Sequence, residues 1–332
     1  MSNKKTMSKK VKIILVVLSI FVCIAAASGI YTYHELNKVK SGTLPDNNSD
    51  LGIADNTDNE LKDKSITNIA LFGVDSRDTN SDKGSRSDSI MILSIDKEHN
   101  KLKLTSIMRD TYVNVEGHGK TKITHAYAYG GPSLAVKTIN QNFNMNIKDY
   151  VTVDFFGLEK IIDSIGGVQI DVDKDEIPVM NDYITGTSKI EKTVPTFVKS
   201  SGMQTLNGSQ AVAYSRIRYV GNADYERTER QRTVLEQIIK KVENKGLSSF
   251  PSLLNTMLPY VETSMSKTSL LSTGTSILTK GITKVEQLRL PKDGYCKSQT
   301  INKVYYLVAD LNAARSQLYK FIYEEEMPKS NN

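Results

Sequence analysis

Two aspartates in this chain of 332 residues stand where apolar runs of strand length end or begin. Asp75 directly follows Asn68 to Val74, and Asp88 directly precedes a second run from Ser89 to Asp96. Ligands of open α/β sheets gather at the carboxyl ends of strands, although aspartate is also a common turn-former there. If the two runs pair antiparallel, both carboxylates reach one edge of the sheet. Two carboxylates without His or Cys suit a hard ion such as Mg2+, with Mn2+ as the alternative, because such an ion takes one or two protein carboxylates and fills its shell with water and phosphate oxygens. The same donor set disfavours zinc.

The arginines extend that chemistry. Arg86 lies two residues before Asp88, and Arg109 follows a third strand candidate, Leu102 to Met108. Each is either a solvated surface group or a phosphate ligand, since a planar guanidinium grips a phosphoryl group through two parallel hydrogen bonds. Arg216 and Arg218, two apart, project from one face if Ser215 to Tyr219 is a strand, either as a two-pronged cationic clamp or as a solvated face. In the helix expected after Asp224, Val234, Leu235, Ile238 and Val242 mark the buried stripe. Extended backwards, the stripe reaches Gln231 and Arg227 at the helix N-terminus, where free N–H groups favour an anion. Arg230 and Arg232 fall off its centre and are expected in solvent. Asp224 is either a helix cap, worth ~1 kcal/mol, or a general base for an attacking hydroxyl. His34, His99, His118 and His125 form no metal pattern and pair with no Ser or Cys nucleophile, and no glycine-rich P-loop is present.

The elements that must position these residues read as a layered α/β domain. Ser89 to Asp96 and Leu102 to Met108, joined by a polar turn, predict a hairpin. Pro132 predicts a helix start, with Leu134, Ile139 and Phe143 at helical spacing. Tyr150 to Asp154, Leu158 to Ile165 closed by Gly166-Gly167, and Val168 to Val172 form a β-α-β pattern. Asp173 to Met203 shows no clear period and predicts a long surface excursion. A short helix around Gln210, a helix from Tyr225 to Asn244, a strand at Val285 to Leu290 and a last helix ending near Tyr323 follow. Such alternation predicts a three-layer sandwich, with a mixed central β-sheet covered by helices.

Ahead of this domain, Ile13 to Tyr33 carries no formal charge, and its apolar core at ~1.5 Å per residue is long enough for the ~30 Å hydrocarbon layer. Lys4, Lys5, Lys9, Lys10 and Lys12 precede it, which predicts one transmembrane helix with a cytoplasmic N-terminus and everything after Tyr33 outside. Removing those five charges from the formal +6 leaves about +1, so the outer part lacks the basic surface of a nucleic-acid binder. Cys23 falls within the span and Cys296 alone lies outside it, so no intrachain disulfide forms. The expected division is a basic tail at 1–12, a membrane anchor at 13–33, a polar linker at 34–65, the folded domain at 66–325 and a tail at 326–332.

Between Ile66 and Ile239 the chain resembles the LytR-CpsA-Psr proteins of the Gram-positive cell envelope. The resemblance is carried by Leu71-Phe72-Gly73-Val74-Asp75-Ser76-Arg77, Arg86-Ser87-Asp88-Ser89, Met108-Arg109-Asp110-Thr111, Lys122-Ile123-Thr124-His125-Ala126-Tyr127-Ala128-Tyr129-Gly130-Gly131, and Arg216-Ile217-Arg218 through Asp224, Arg227 and Gln231. Thr124 departs from the Asn common in members. The resemblance implies a membrane-anchored transferase that moves an anionic glycopolymer, such as teichoic acid or capsule, from an undecaprenyl-pyrophosphate carrier to a peptidoglycan hydroxyl through a phosphodiester bond. By motif it implies Mg2+ on Asp75 and Asp88, pyrophosphate on Arg86, Arg109, Arg216, Arg218, Arg227 and Gln231, and catalysis by Asp224 as base with Arg109. A pyrophosphatase and a non-catalytic lipid-glycan binding protein are the alternatives. A transcriptional regulator is disfavoured by the outward topology and near-neutral charge.

Overall fold

The computed structural model describes residues 40–55, 57, 65–75, 85–221, 224–280 and 284–324. The expected basic tail, membrane span and C-terminal tail lie outside these residues. Among those described, no helix is long and apolar enough to cross a membrane.

The strands are β1 (Lys40–Ser41), β2 (Ile66–Val74), β3 (Ser87–Asp96), β4 (Lys101–Ile107), β5 (Tyr112–Val115), β6 (Gly119–Lys122), β7 (Asp149–Asp154), β8 (Val168–Val172), β9 (Gly202–Leu206), β10 (Glu262–Thr263), β11 (Lys284–Leu290), β12 (Cys296–Ile301) and β13 (Val304–Ala309). The helices are α1 (Ile123–Phe143), α2 (Phe155–Ser164), α3 (Glu176–Glu191), α4 (Gly208–Arg216), α5 (Asp224–Lys245), α6 (Phe250–Met257), α7 (Lys267–Lys280) and α8 (Leu311–Tyr323). Seven strands form one mixed sheet in the order β1-β10-β7-β2-β3-β4-β11. β2, β3 and β4 run antiparallel to one another, while β7 joins β2 and β11 joins β4 in parallel.

The period of two along β2 separates the faces. Ala70, Phe72 and Val74 join Ile90 and Ile92 in a core closed by Val136 and Ile139 of α1 and Leu318 and Ile322 of α8. Ile69 and Leu71 face the other way, with Ile95, Leu102 and Val151, under Ile239 of α5 and Leu270 and Ile277 of α7. Helices therefore cover both faces, as the alternation predicts. A third core, built from α2 to α5 with β8 and β9, lies apart from the sheet and holds Ile162, Val168, Met180, Ile184 and Val234.

Three expectations are corrected. The β-α-β pattern holds in sequence, but β8 pairs with β9 in a separate two-stranded sheet instead of entering the central one. Asp173 to Met203 is no surface excursion throughout: α3 occupies most of it, and its buried stripe is only Glu176, Met180, Ile184 and Ser188, too little apolar surface to announce a helix. The expected linker is ordered over 40–55, because Leu51 and Ile53 insert into the main core and Asn140 Nδ2 donates to the Leu51 carbonyl at 2.9 Å. β1 adds a parallel edge strand beside β10. The polar residues around Leu51 and Ile53 conceal two core positions.

The helix over Ile123–Phe143 is interrupted. Gly131 has φ 61° and ψ −157°, a conformation that only glycine adopts readily, and Pro132 opens the second half, where its missing N–H costs least.

Candidate active site

The acidic and basic motif residues meet at the end of the β2–β3 pair. Gly73 pairs with Ser89 and Val74 with Ser87, so Asp88 is an extra residue in β3, a bulge that leaves it outside the ladder and re-aims its side chain. A Cβ on Gly73 would come within 2.9 Å of Ser89 Cβ, so the bulge needs a glycine opposite it. Thr124, the first-turn residue of α1 that departs from the family pattern, donates its hydroxyl to the Ser87 carbonyl at 2.8 Å. Its backbone N–H bonds the Arg109 carbonyl at 3.2 Å, tying together the segments that carry Asp88 and Arg109.

Arg109 Nη1 makes a very short contact with Asp88 Oδ1. Arg218 Nη2 lies 3.8 Å from that same oxygen. Asp224, opening α5, receives Arg227 Nη1 at 3.2 Å, Arg218 Nε at 3.7 Å and Arg109 Nε at 3.9 Å. Three guanidinium groups thus enclose two carboxylates. Burial and the positive charge of Arg109, followed by that of Arg218, outweigh Asp224 and Asp88 and pull Arg227 down to about 10. Burial also pulls Arg109 down, but Asp88, Asp224 and Asp110 more than reverse this and raise it. Although Asp224 lies 3.2 Å from Arg227 Nη1 and 3.9 Å from Arg109 Nε, these two atoms and Arg227 Nε are buried without an aligned hydrogen bond. Buried N–H groups of this kind demand an explanation, and an incoming anion supplies one.

Two residues of the quoted motifs belong to the cluster without having been assigned a role. Asp110 contacts Arg109 Nε at 3.7 Å and Lys122 Nζ at 2.6 Å. Burial pushes its carboxyl up, but the hydrogen bond from Lys122 and the charge of Arg109 hold it below the ordinary range. Arg86 is exposed at the rim. Its charge, after burial and together with Lys122, keeps His125 below its usual value.

Other expectations fare differently. Arg216 and Arg218 do not share a strand face: Arg216 ends α4, and Ile217 turns the chain out with φ −56° and ψ 129°. Arg218 joins the Asp88–Asp224 cluster, whereas the Arg216 guanidinium sits between the rings of Phe155 and Tyr183, 4.7 and 5.0 Å from their centroids. The strand expected at Ser215 to Tyr219 fails because Ser215 and Arg216 close a buried helix and the chain from Ile217 to Tyr219 is irregular. Arg230 and Arg232 are buried, not solvated, because α5 lies between two cores. Arg230 Nε meets Glu176 at 2.6 Å, and Arg232 Nε donates to Gln287 at 2.9 Å.

Asp75 follows β2, beside the bulge, and lines a cavity with Arg216. Asp75 and Asp88 therefore flank one strand end, as the antiparallel pairing predicts. No group of three His, Cys, Asp or Glu that could hold a metal occurs among the described residues. This pair of hard oxygen donors fits Mg2+ held by two carboxylates, water and phosphate oxygens, and does not fit zinc.

Next to the cluster, an apolar cavity opens between the sheet and α2, α4 and α5. Its walls include Leu71, Met91, Val153, Leu158, Val234 and Ile238. Ser89, adjacent to Asp88, and Gln231, one turn beyond Arg227, form its polar end.

The LytR_cpsA_psr family model matches residues 27–321. A teichoic acid transferase of Bacillus anthracis, named polyisoprenyl-teichoic acid--peptidoglycan teichoic acid transferase TagU, is 31% identical over 93% of this chain and 96% of its own. The regulatory protein MsrR of Staphylococcus aureus is 32% identical over 73% of this chain and 70% of its own. Among solved structures, TagT bound to LI-WTA superposes with TM-score 0.62 at 27% identity, over 78% of this chain and 92% of that one. TagT with bound octaprenyl pyrophosphate lipid superposes with TM-score 0.59 at 26% identity, over 78% and 91%.

Proposed function

The chain belongs to the LytR-CpsA-Psr family, and from that premise we propose that it is a cell-envelope phosphotransferase. It attaches an anionic glycopolymer, carried on undecaprenyl pyrophosphate, to a peptidoglycan hydroxyl through a phosphodiester bond. The observation that carries this reading is the junction of two environments: Arg109, Arg218 and Arg227 around Asp88 and Asp224, directly beside the apolar cavity of Leu71, Val153 and Ile238. A pyrophosphate-linked lipid needs both, a cationic cradle for its head and an apolar sleeve for its tail. The relatives' names and bound ligands agree with that chemistry.

In the proposed reaction the acceptor hydroxyl attacks the phosphorus that bears the sugar, and Asp224 takes the hydroxyl proton. A new O–P bond forms as the P–O–P bridge to the carrier breaks, and undecaprenyl phosphate leaves with the electron pair. Arg109, Arg218 and Arg227, with Arg86 at the rim and Gln231 at the cavity end, hold the phosphates and stabilise the charge that builds on them; such transfer depends on positioning and charge neutralisation. Arg216 meets the phosphates from the Asp75 side. Asp75 and Asp88 would hold Mg2+, or Mn2+ in its place, which when bound supplies further neutralisation of the pyrophosphate. The segment at 13–33 anchors the chain, and the catalytic domain works outside the membrane.

The test uses the full-length chain in detergent with a polyprenyl-pyrophosphate glycan, a peptidoglycan oligomer and Mg2+, and separates joined from hydrolysed products. Joining that stops on chelation and returns with Mg2+ or Mn2+ is expected. Glycan phosphate released to water alone, with acceptor present, would replace the transferase by a pyrophosphatase; binding without turnover would leave a carrier protein.

A further inference from the structure

Of the eleven large apolar side chains exposed among the described residues, four fall in one stretch: Ile190, Val194, Phe197 and Met203. Single exposed apolar residues are ordinary on a protein surface, but a concentration of them marks contact with something less polar than water. Val194 is 90% exposed and Met203 69%, so neither is half-covered core. The backbone beneath them is nevertheless fixed. Asn181 of α3 donates to the Val198 carbonyl at 3.0 Å and accepts from the Val198 N–H at 2.9 Å, and Gln210 of α4 donates to the Thr196 carbonyl at 3.2 Å. Val198 is buried, while Phe197 and Lys199 on either side of it are exposed. The stretch cannot fold its apolar side chains inward without breaking those bonds.

Charge narrows what covers it. Lys189, Lys192 and Lys199 stand exposed among the apolar residues, against a single acid, Glu191. Apolar side chains interleaved with lysines suit the surface of an anionic bilayer, where the former enter the headgroup boundary and the latter meet the lipid charges. A second copy of the chain suits the stretch less, because a two-fold contact would bring like charges together.

Position points the same way. Ile190 lines the cavity that Asp75 and Arg216 line, at the active-site end of the sheet. Lys40 pairs with Glu262, Glu262 with Thr152 and Thr152 with Phe72, so the chain enters β1 from the end at which Val74 and Asp154 stand. Between Lys40 and Tyr33, the last residue of the segment read as the anchor, there is at most about 25 Å of extended chain.

We infer that residues 190–203 form a membrane-docking surface, with Ile190, Val194, Phe197 and Met203 entering the bilayer surface and the three lysines meeting anionic headgroups. The inference rests on the reading of the substrate as a lipid carried in that bilayer. Docking there sets the phosphate cluster beside the headgroups, where the pyrophosphate of such a lipid lies.

The chain contains no tryptophan, so one introduced on the surface reports alone. Full-length Val194→Trp and Phe197→Trp are reconstituted in vesicles of phosphatidylglycerol and phosphatidylcholine, with and without brominated acyl chains. Lys284→Trp, exposed at the opposite end of the sheet, is the reference. Bromine is expected to quench the first two at least threefold more than the reference. A second arm uses the double variant Val194→Glu with Phe197→Glu, its folding checked by melting temperature. It should join a donor embedded in vesicles at least fivefold more slowly than the parent, and a short-chain donor in detergent at the parent's rate. Quenching no greater than that of Lys284→Trp, or joining from vesicles within twofold of the parent, would overturn the inference and leave the surface to a second copy or another protein. Strong quenching in a protein that joins nothing from either donor would instead overturn the transferase reading and leave the docking in place.

Discussion

Arg227 shows at the scale of one residue how the site is held under tension. Burial and two neighbouring arginines depress it to about 10, so keeping it charged at neutral pH opposes folding. Its use must lie in binding an anion. Arg227→Met is therefore expected to melt no lower than the parent, because removing a depressed buried cation relieves repulsion, while transfer falls by roughly 100-fold, the order lost when one charge-stabilising donor is removed. Calorimetry beside a transfer assay checks both halves; a large fall in melting temperature would make Arg227 a structural residue. Asp110 carries the opposite sign. Its folded-state value lies below the ordinary 3.8, so its stabilising contribution is complete above about pH 4 and is lost as pH falls through the lower folded value. Asp110→Asn should flatten the acid limb of melting temperature against pH below about 4, and the limb should keep the parent's slope if Lys122 and Arg109 do not hold this carboxylate.

The elements explain what the sequence could and could not announce. α5 was legible because Val234, Leu235, Ile238 and Val242 repeat at helical spacing, and the same stripe led correctly to a buried Arg227. The burial of Arg230 and Arg232 is hidden from the stripe, because Glu176 and Gln287, residues remote in sequence, decide it. α3 lacks the broad apolar stripe that would announce it, and the alternation of Arg216-Ile217-Arg218 reads as a strand because alternation cannot distinguish a helix end from an edge. The motif residues were legible by type; the bulge at Asp88, which aims one of them, depends on register alone. Gly131 offers an element-scale test. With φ 61° and ψ −157°, Gly131→Ala should lower stability by about 1–3 kcal/mol even though nothing crowds its Cβ. Chemical denaturation measures this, and an unchanged midpoint would mean that the break in α1 tolerates other backbone geometry.

For the whole molecule, the domain begins earlier than its composition implies. Leu51 and Ile53 are 2% and 4% exposed in the main core, and β1 pairs with β10. A chain begun at Ile66 would lose these contacts, at about 1.5–3 kcal/mol for each large apolar side chain returned to water. It should melt well below a chain begun at Val39; equal melting temperatures would restore the reading of 40–55 as a passive spacer. The sheet itself serves the chemistry by bringing the end of β2, the bulge of β3, the second residue after β4 and the start of α5 to one place. A polar cluster and an apolar cavity share that place, as a lipid with a charged head requires.

The most direct test of that arrangement is single-turnover transfer by full-length Arg218→Ala, with folding verified by its melting temperature. Arg218 meets Asp88 and Asp224 at 3.8 and 3.7 Å and keeps 31% of its side chain exposed, so its loss leaves the core clusters intact. The account predicts a folded protein whose joining of glycan to peptidoglycan oligomer is at least 100-fold slower; joining within twofold of the parent would place the reaction elsewhere on the molecule.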